Sequence, residues 1–505
     1  QFICSPFLEG AVLNLRRLKG REKKPFAIMF PNLLALKKVC SVSDTEEEIL
    51  CGVQHPIVLL PKREDPFCTQ VCGESRFLGA FLPYTPLHAL LTESCGPLIA
   101  TSGNLAGEPI IIRDEEMLTL SISELAGVLY HQRRITTPLD DSVVRIFSGT
   151  VQMIRRARGY VPSPLFLKEK ALLPILSAGG DLKSSFCLLK GDRAYMSQYF
   201  GDLESYGVAK NYVKNIERMC SLFQIKPQAI ACDLHPSYLS RRLVQQAIPF
   251  QNLPIFFIQH HHAHIASVMA EHSLDSCIGV AFDGTGYGTD KTIWGGEFLF
   301  CHDAQFERSG FLEPIAICGG DLSAKDADLT ALCHLSAAKI PSCDPRFSVV
   351  QAAIKQNIQS MLSSSIGRFF DAVCAILGIR KFNSYEGECA IALENCAAHA
   401  LQHGVFPYPL SFPILSTEHG FLLQRNLAIQ ELYCAKESGI SVEALALGFH
   451  LSLSVAVCEL CKKIRKKTGE NRVALSGGVF MNLILSRACE RLLVQNGFSV
   501  FFNHA

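Results

Sequence analysis

The sequence predicts an α/β protein built from more than one domain. Three observations carry this. The chain has 505 residues, 48% of them hydrophobic, which is enough apolar surface for more than one core. Short β-rich apolar runs alternate with helical stretches along its whole length. The alternation stops and restarts around Val161-Pro162-Ser163-Pro164, where two prolines and a serine break the period and mark a linker.

In the first block, residues 1–165, the segments PFAIMF, HPIVLLP, PLIATS and SVVRIF read as strands, with a polar helix over 43–50 between two of them. The second block, residues 171–505, opens with the strand series LLPILSAGG, FCLLKG and AYMSQYF. A helix follows, because Val208, Tyr212, Ile216, Met219 and Phe223 share one face at helical spacing. AIACDL, PIFFIQ, IGVAFDG, GGEFLF and VALSGG are further strands, and long helices are expected over 443–467 and 482–496. Strands interleaved with helices make this a larger α/β domain. No fixed-period repeat is present. Both ends read as cut, since the chain begins in the apolar run QFICS and stops at FFNHA just after the strand-like FSVFF.

Charge narrows the function classes. Lys plus Arg (48) nearly cancels Asp plus Glu (47), so no global positive field gathers nucleic acid or anionic membrane, and anion binding has to be local. There is no secretory leader pattern and no unbroken apolar run of about 18 residues, so a soluble cytoplasmic protein is expected. The 21 cysteines are odd in number and scattered singly through apolar stretches, the pattern of buried reduced thiols. Cys68/Cys72 and Cys458/Cys461 are close pairs, but neither has a second pair at zinc-finger spacing, and both are read as packing.

Two regions carry chemistry. In the first block, RRLKGREKKPF clusters Lys19, Arg21 and Lys24 ahead of a strand. ATSGNLAGEPI places Thr101, Ser102 and Asn104 in a glycine-containing turn whose hydroxyls, amide and backbone N–H groups suit phosphate or carboxylate oxygens; a plain strand-ending turn has the same signature. DDSVVR and MIRRARGYVP add Ser142, Arg145, Arg155, Arg156 and Arg158, and the guanidinium fork gives phosphate two hydrogen bonds at once. Together these suggest a polyanion pocket. In the second block, QHHHAHIASVMAEH sets His260 and His264 four apart on one helical face, where both imidazoles reach one metal, while His261 and His262 point elsewhere. Asp283 in GVAFDGTGYG ends an apolar strand at a glycine turn and supplies a carboxylate. Trp294-Gly295-Gly296 and SGGVFMN are two more glycine turns suited to close approach of a nucleotide.

The ordered set KGREKKPFAIM, LPYTPLHALL, TSGNLAGEPI, DDSVVR and RRARGYVP resembles the YrdC-like domain of the hydrogenase maturation carbamoyltransferases, the HypF family. SAGGDLKSSFCLL, GDLES, CDLHPSYLSRR, QHHHAHIAS, FDGTGYGTDKTIWGGEFL, SSIGRFFDAVCAILGI, NSYEGECAIALE and ALSGGVFMN resemble the Kae1-like domain of the same family, an actin-like (ASKHA) fold of two related subdomains. The resemblance implies that residues 1–165 make carbamoyl adenylate from ATP, with Mg2+, and a carbamoyl unit derived from carbamoyl phosphate. Lys19 and Arg21 would then bind phosphate, and Thr101, Ser102, Asn104, Ser142 and Arg156 would line the nucleotide pocket. It implies that residues 171–505 transfer the carbamoyl group to the C-terminal cysteine of a HypE-family partner. There His260, His264 and Asp283 would hold a zinc or iron ion, and Gly295, Gly296, Gly367, Asp371, Gly478 and Asn482 would surround the nucleotide. Neither nucleic acid nor a membrane is among the expected partners.

The sequence departs from the family pattern in places. Thr137-Pro138-Leu139 replaces a segment that carries an arginine, and Lys325-Asp326-Ala327-Asp328 stands where the family has Arg-Glu-Pro-Trp. A further metal-binding aspartate of the family falls past the last strand, beyond Ala505, and the family's acylphosphatase and zinc-finger modules lie upstream of its YrdC-like domain. The same two domain types also serve threonylcarbamoyl tRNA modification, but the histidine segment, TSGNLAGEPI and the fusion order match the hydrogenase branch. Small-molecule O-carbamoyltransferases place the two domains in the opposite order.

Overall fold

The computed structural model describes residues 1–105, 107–120, 125–130 and 133–504. The chain forms two compact units, one of Gln1–Phe257 with the last residues of the chain, the other of Ile258–Asn503.

The first unit contains a seven-stranded sheet of β1 (Phe2–Cys4), β2 (Ile28–Met29), β3 (Ile57–Pro61), β4 (Phe77–Phe81), β5 (Leu98–Thr101), β6 (Val143–Phe147) and β7 (Thr150–Arg155), ordered β1-β5-β2-β4-β3-β6-β7. The sheet is mixed, β2 running parallel to β4 and antiparallel to β5. Its core gathers Ile28, Val58, Leu60, Leu78, Ile99 and Val144 with Val12, Leu15 and Leu36 of the helices. Helix Glu9–Lys19 buries Val12, Leu15, Arg16 and Lys19 on one face and ends at Gly20, whose φ of 53° is the left-handed stop that glycine adopts without strain. That stop sets Lys19 at the buried end of the helix. Helix Asp44–Cys51 starts from a capping box in which Ser43 and Glu46 each satisfy the other's backbone N–H.

A second sheet comprises β8 (Leu165–Phe166), β9 (Ile175–Ala178), β10 (Phe186–Lys190), β11 (Arg193–Met196), β12 (Ala229–Asp233) and β13 (Ile255–Ile258), ordered β13-β12-β9-β10-β11-β8. The amphipathic helix Tyr206–Phe223 covers it with Val208, Tyr212, Ile216 and Met219, and Phe223 packs half-buried on the same cluster. The first compact unit therefore runs past the linker at 161–164. Gln198 donates to the Pro138 carbonyl at 2.8 Å, Arg218 donates to the Thr136 carbonyl at 2.6 Å, and the Arg155 guanidinium sits 5.0 Å over the Tyr199 ring.

The second unit is built on β14 (Ser276–Tyr287), β15 (Ile293–His302), β16 (Gln305–Leu312), β17 (Ile315–Cys318), β18 (Ser360–Ser363), β19 (Ile414–Thr417), β20 (Gly420–Leu423), β21 (Arg472–Ser476) and β22 (Ser499–Phe502). The main path is β19-β20-β16-β15-β14-β21-β22, and β17 and β18 pair with each other beside β15. Strands β14, β21 and β22 are parallel neighbours, joined in part by helix Leu483–Gln495. Helix Val442–Thr468 is long and apolar enough to cross a membrane by length and composition, and a count of unbroken apolar runs passes over it. Most of that stretch is buried in its own unit, including Leu445, Phe449, Leu453, Val457, Cys461 and Ile464, which makes it a core helix. Cys458 and Cys461 are buried on it and Cys72 is buried in the first unit's core, in keeping with their reading as packing.

Two expected turns are not turns. Asp283 does not end its strand: β14 continues to Tyr287, and its pairing with β15 shifts register between Phe282 and Gly286, leaving Asp283, Gly284 and Thr285 in the irregularity. Gly295 and Gly296 lie inside β15, and their need for glycine is steric. A Cβ on Gly295 would stand 2.6 Å from the Asp283 carbonyl oxygen, and one on Gly296 would stand 2.6 Å from that of Ser364.

Candidate functional site

Helix His260–His272 begins directly after β13. Its N-cap Gln259 accepts the His262 N–H at 2.8 Å and fixes where the first turn starts. One turn separates His260 from His264, so both rings face the register shift in β14. His264 Nε2 lies 3.0 Å and His260 Nε2 3.5 Å from Asp283 Oδ2. Burial pushes the Asp283 carboxyl up in pKa, but hydrogen bonds and charge from the two histidines outweigh it and hold the group well below the usual carboxylate range. Among the described residues, these three are the group of histidine, cysteine or acidic side chains whose ligand atoms all lie within 4.8 Å of one another. Donors around a tetrahedral ion with bonds of about 2.0–2.2 Å stand roughly 3.2–3.6 Å apart. The two carboxylate–imidazole distances of 3.0 and 3.5 Å lie close to that range, and the set of two imidazoles and a carboxylate fits a divalent zinc or iron ion in chemistry. His261 is fully buried with its Nδ1 3.2 Å from Gln259 Nε2, and His262 packs at 4.8 Å from the Phe306 ring, so neither joins the set.

A shell of glycines closes on Asp283 and Gly284. Besides Gly295, a Cβ at Gly367 would stand 2.7 Å from Gly284 Cα, one at Gly478 would stand 3.2 Å from Asp283 Oδ1, and one at Gly477 would collide with the Phe282 carbonyl. Backbone from β15, from helix Ile366–Ile376 and from the turn after β21 reaches the acidic residue only because these side chains are absent. Ser365, the N-cap of helix Ile366–Ile376, donates to the Gly284 carbonyl at 2.7 Å and accepts the Arg368 N–H at 3.0 Å. Behind it the fully buried Glu297 accepts from Ser364 Oγ at 2.5 Å, from Arg308 Nε at 2.7 Å and from the Gly295 N–H at 3.3 Å. Ser365 and Glu297 were not picked out from the sequence, although SSIGRFF and GGEFLF contain them.

Two predicted nucleotide residues are committed within the protein. Asp371, 1% exposed, pairs with Arg368 at 2.8 Å and accepts from Asn383 at 3.2 Å, and burial raises its pKa. Asn482 caps helix Leu483–Gln495 by accepting the Leu485 N–H at 3.0 Å, and its amide donates to His450 Nε2 at 2.9 Å. Glu394 accepts the adjacent Leu483 N–H at 2.7 Å, so a carboxylate of the protein already sits at this helix start.

In the first unit, Lys19, Ser102 and Asn104 come together. The Lys19 ammonium donates to the carbonyls of Ser102 (2.9 Å) and Asn104 (2.8 Å) and to Asn104 Oδ1 (2.5 Å). Burial, then the nearby Arg21 charge, brings the Lys19 pKa down to about 8. Thr101 ends β5 opposite Phe2. Arg21 turns to its own loop, donating to the carbonyls of Lys24 and Pro25. Ser142 is fully buried, accepting the Ala157 N–H at 2.8 Å and donating to the Arg158 carbonyl at 2.9 Å. Arg156 donates to the carbonyls of Tyr160 (3.3 Å) and Ser163 (3.2 Å). The sequence reading passed over Tyr84 and Asp141: the Arg158 guanidinium stacks 3.3 Å from the Tyr84 ring centroid and bonds Asp141 at 2.8 Å. LPYTPLHALL and DDSVVR were the available signals.

Three family models match the chain. Residues 170–271 match the HypF Kae1-like domain, 279–505 match the carbamoyltransferase Kae1-like domain, second subdomain, and 1–157 match the Sua5/YciO/YrdC model, described as telomere recombination. The chain is 34% identical to carbamoyltransferase HypF of Synechocystis sp., over 97% of its own length and 66% of that protein. It is 33% identical to carbamoyltransferase HypF2 of Cupriavidus necator, over 98% of its own length and 67% of that protein. The crystal structure of a full-length HypF in the phosphate- and nucleotide-bound form superposes with a TM-score of 0.93 at 38% identity, covering 99% of this chain and 66% of that one. The chain thus spans about two thirds of the length of the proteins it matches.

Proposed function

The chain belongs to the HypF carbamoyltransferase family, and from that premise we propose that it is an ATP-dependent carbamoyltransferase of nickel–iron hydrogenase maturation. In this reading residues 1–165 join carbamate, the hydrolysis product of carbamoyl phosphate, to ATP. A carbamate oxygen bonds to the α-phosphorus, the bond to pyrophosphate breaks, and carbamoyl adenylate forms. Residues 171–505 then pass the carbamoyl group to the C-terminal cysteine of a HypE-family partner. The thiol gives up its proton, the sulfur bonds to the carbamoyl carbon, and the bond to AMP breaks.

The observation that carries the reading is the convergence of His260, His264 and Asp283 inside a shell of glycines. A divalent ion held by these three would polarise the carbamoyl oxygen. The protein's own part is to orient the two imidazoles one helical turn apart, to keep Asp283 ionised, and to bring backbone close to the reacting group. Gly295, Gly296, Gly367 and Gly478 let the protein's own backbone close around the segment that carries Asp283, beside which adenylate binds, and Asp371 and Asn482 act through the elements they hold. In the first segment Lys19 with Arg21, Thr101, Ser102, Asn104 and Arg156 takes the triphosphate of MgATP, and the buried Ser142 acts through the Ala157–Arg158 segment it holds. Separate family matches over 1–157 and from 170 onward support the division into two catalytic segments. A cytoplasmic setting is part of the same reading, supported by the 21 cysteines all being free thiols.

The test is ATP–pyrophosphate exchange with Mg2+, with carbamoyl phosphate and separately with carbamate, followed by transfer of labelled carbamoyl to a HypE-family acceptor and to its cysteine-to-serine variant. Exchange that needs a carbamoyl source, and labelling of the cysteine acceptor alone, are expected. Exchange indifferent to both carbamoyl sources would sink the reading.

A further inference from the structure

The helix that carries the two histidines continues their stripe. His260, His264, Ser267 and Glu271 recur at spacings of three and four and so share one face. Asn503, just past β22, is gripped by the lower part of that face: its Nδ2 donates to Ser267 Oγ at 3.0 Å and to Glu271 Oε2 at 3.4 Å. Its Oδ1 is thereby aimed at Ser476, whose hydroxyl donates to it at 3.0 Å. Ser476 is the last residue of β21, and its Oγ lies 3.5 Å from His264 Nδ1.

These contacts have a direction. For Nε2 of His264 to offer a lone pair on the side of Asp283, the ring proton must sit on Nδ1, and that N–H needs an acceptor. Ser476 Oγ can accept only if its own proton goes elsewhere, and Asn503 Oδ1 takes it. We propose that Asn503 and Ser476 are a positioning relay for His264, fixing the tautomer and ring orientation with which it binds a divalent cation together with His260 and Asp283. The relay rests on the metal reading of that triad and adds two residues that touch neither the ion nor the substrate. It accounts for a buried hydroxyl at the end of β21, and it ties the strand, the histidine helix and the chain after β22 to one ring nitrogen.

The test measures Zn2+ affinity of the full chain by competition with a chromophoric chelator, beside the melting temperature in EDTA. Ser476→Ala and Asn503→Leu each weaken Zn2+ binding about 10- to 100-fold with the metal-free melting temperature unchanged. Ser476→Thr, which keeps the hydroxyl, stays close to wild-type affinity. Wild-type affinity in Ser476→Ala and Asn503→Leu, alongside loss in His264→Ala, overturns the relay and leaves the metal reading standing. Failure of Ser476→Thr to keep near wild-type affinity, or weakened binding that follows a lowered metal-free melting temperature, also overturns it. Unchanged Zn2+ binding in His264→Ala overturns the metal reading and the relay with it.

Discussion

His264 and Lys19 show how one side chain's surroundings decide what it does. His264 sits 3.0 Å from Asp283 in the second unit, while Lys19 lies in the first. His264→Ala is accordingly expected to abolish carbamoyl transfer while leaving carbamoyl-dependent pyrophosphate exchange largely intact; assaying both on one preparation checks it, and joint loss counts against separate sites. Lys19 gives a pH prediction. Its pKa is lowered to about 8, so below that value the ammonium is charged and attracts phosphate, and above it the amine is neutral. Nucleotide affinity of the first unit should therefore fall as pH rises through about 8, by up to about tenfold per unit if the neutral amine contributes nothing. Lys19→Arg, whose guanidinium stays charged, should flatten that profile in titration calorimetry. The i, i+4 histidine pair was legible because one helical turn fixes which side chains meet. Ser476 and Asn503 were not, because they reach His264 from β21 and from beyond β22, more than 200 positions along the chain.

At the level of elements, the site depends on strands and helix starts that come closer than side chains allow. Gly477 has φ 101°, and a Cβ there would collide with the Phe282 carbonyl, so Gly477→Ala combines backbone strain with a clash. It should lower stability by about 1–3 kcal/mol and weaken metal binding in the same variant, read by denaturant melts and chelator competition. Gly478→Ala, with only a 3.2 Å contact to Asp283 Oδ1, should disturb metal binding more than stability. Asn482 joins two elements. It caps helix Leu483–Gln495 and donates to His450, an imidazole that burial keeps neutral with its pKa lowered to about 4 and whose Nδ1 bonds the Ala446 carbonyl. Asn482→Ala should cost about 1 kcal/mol for the cap, plus about 1–3 kcal/mol for the buried ring nitrogen left without a donor, measurable as a lowered denaturation midpoint. The sequence showed that SGGVFMN joins a strand to a helix. It did not show that the helix start is already satisfied by Asn482 and Glu394, since Glu394 arrives from helix Glu388–Gln402.

Over the whole molecule, the thiols provide a measurable consequence of packing. All 21 cysteines are free, and only Cys51, Cys95, Cys343 and Cys434 are exposed. A chromogenic disulfide reagent should titrate about four thiols quickly in the native protein and the rest only on unfolding; fast reaction of many more would contradict these cores. The sequence by itself determined the α/β class, the strands and helices with a clear period, such as those over 206–223, 443–467 and 482–496, the histidine pair with its aspartate, and the family, because period, spacing and local motif depend on neighbouring residues. Only the tertiary structure decided that Asp283 lies in a register shift instead of a strand-ending turn, that Gly295 and Gly296 are glycines for want of space, and that Asp371 and Asn482 are committed to Arg368 and His450. The physical reason is pairing at long range. The parallel register that sets Ala281 beside Ser476 brings together segments far apart in the chain, and what such a partner demands of a residue leaves no period in the sequence around it.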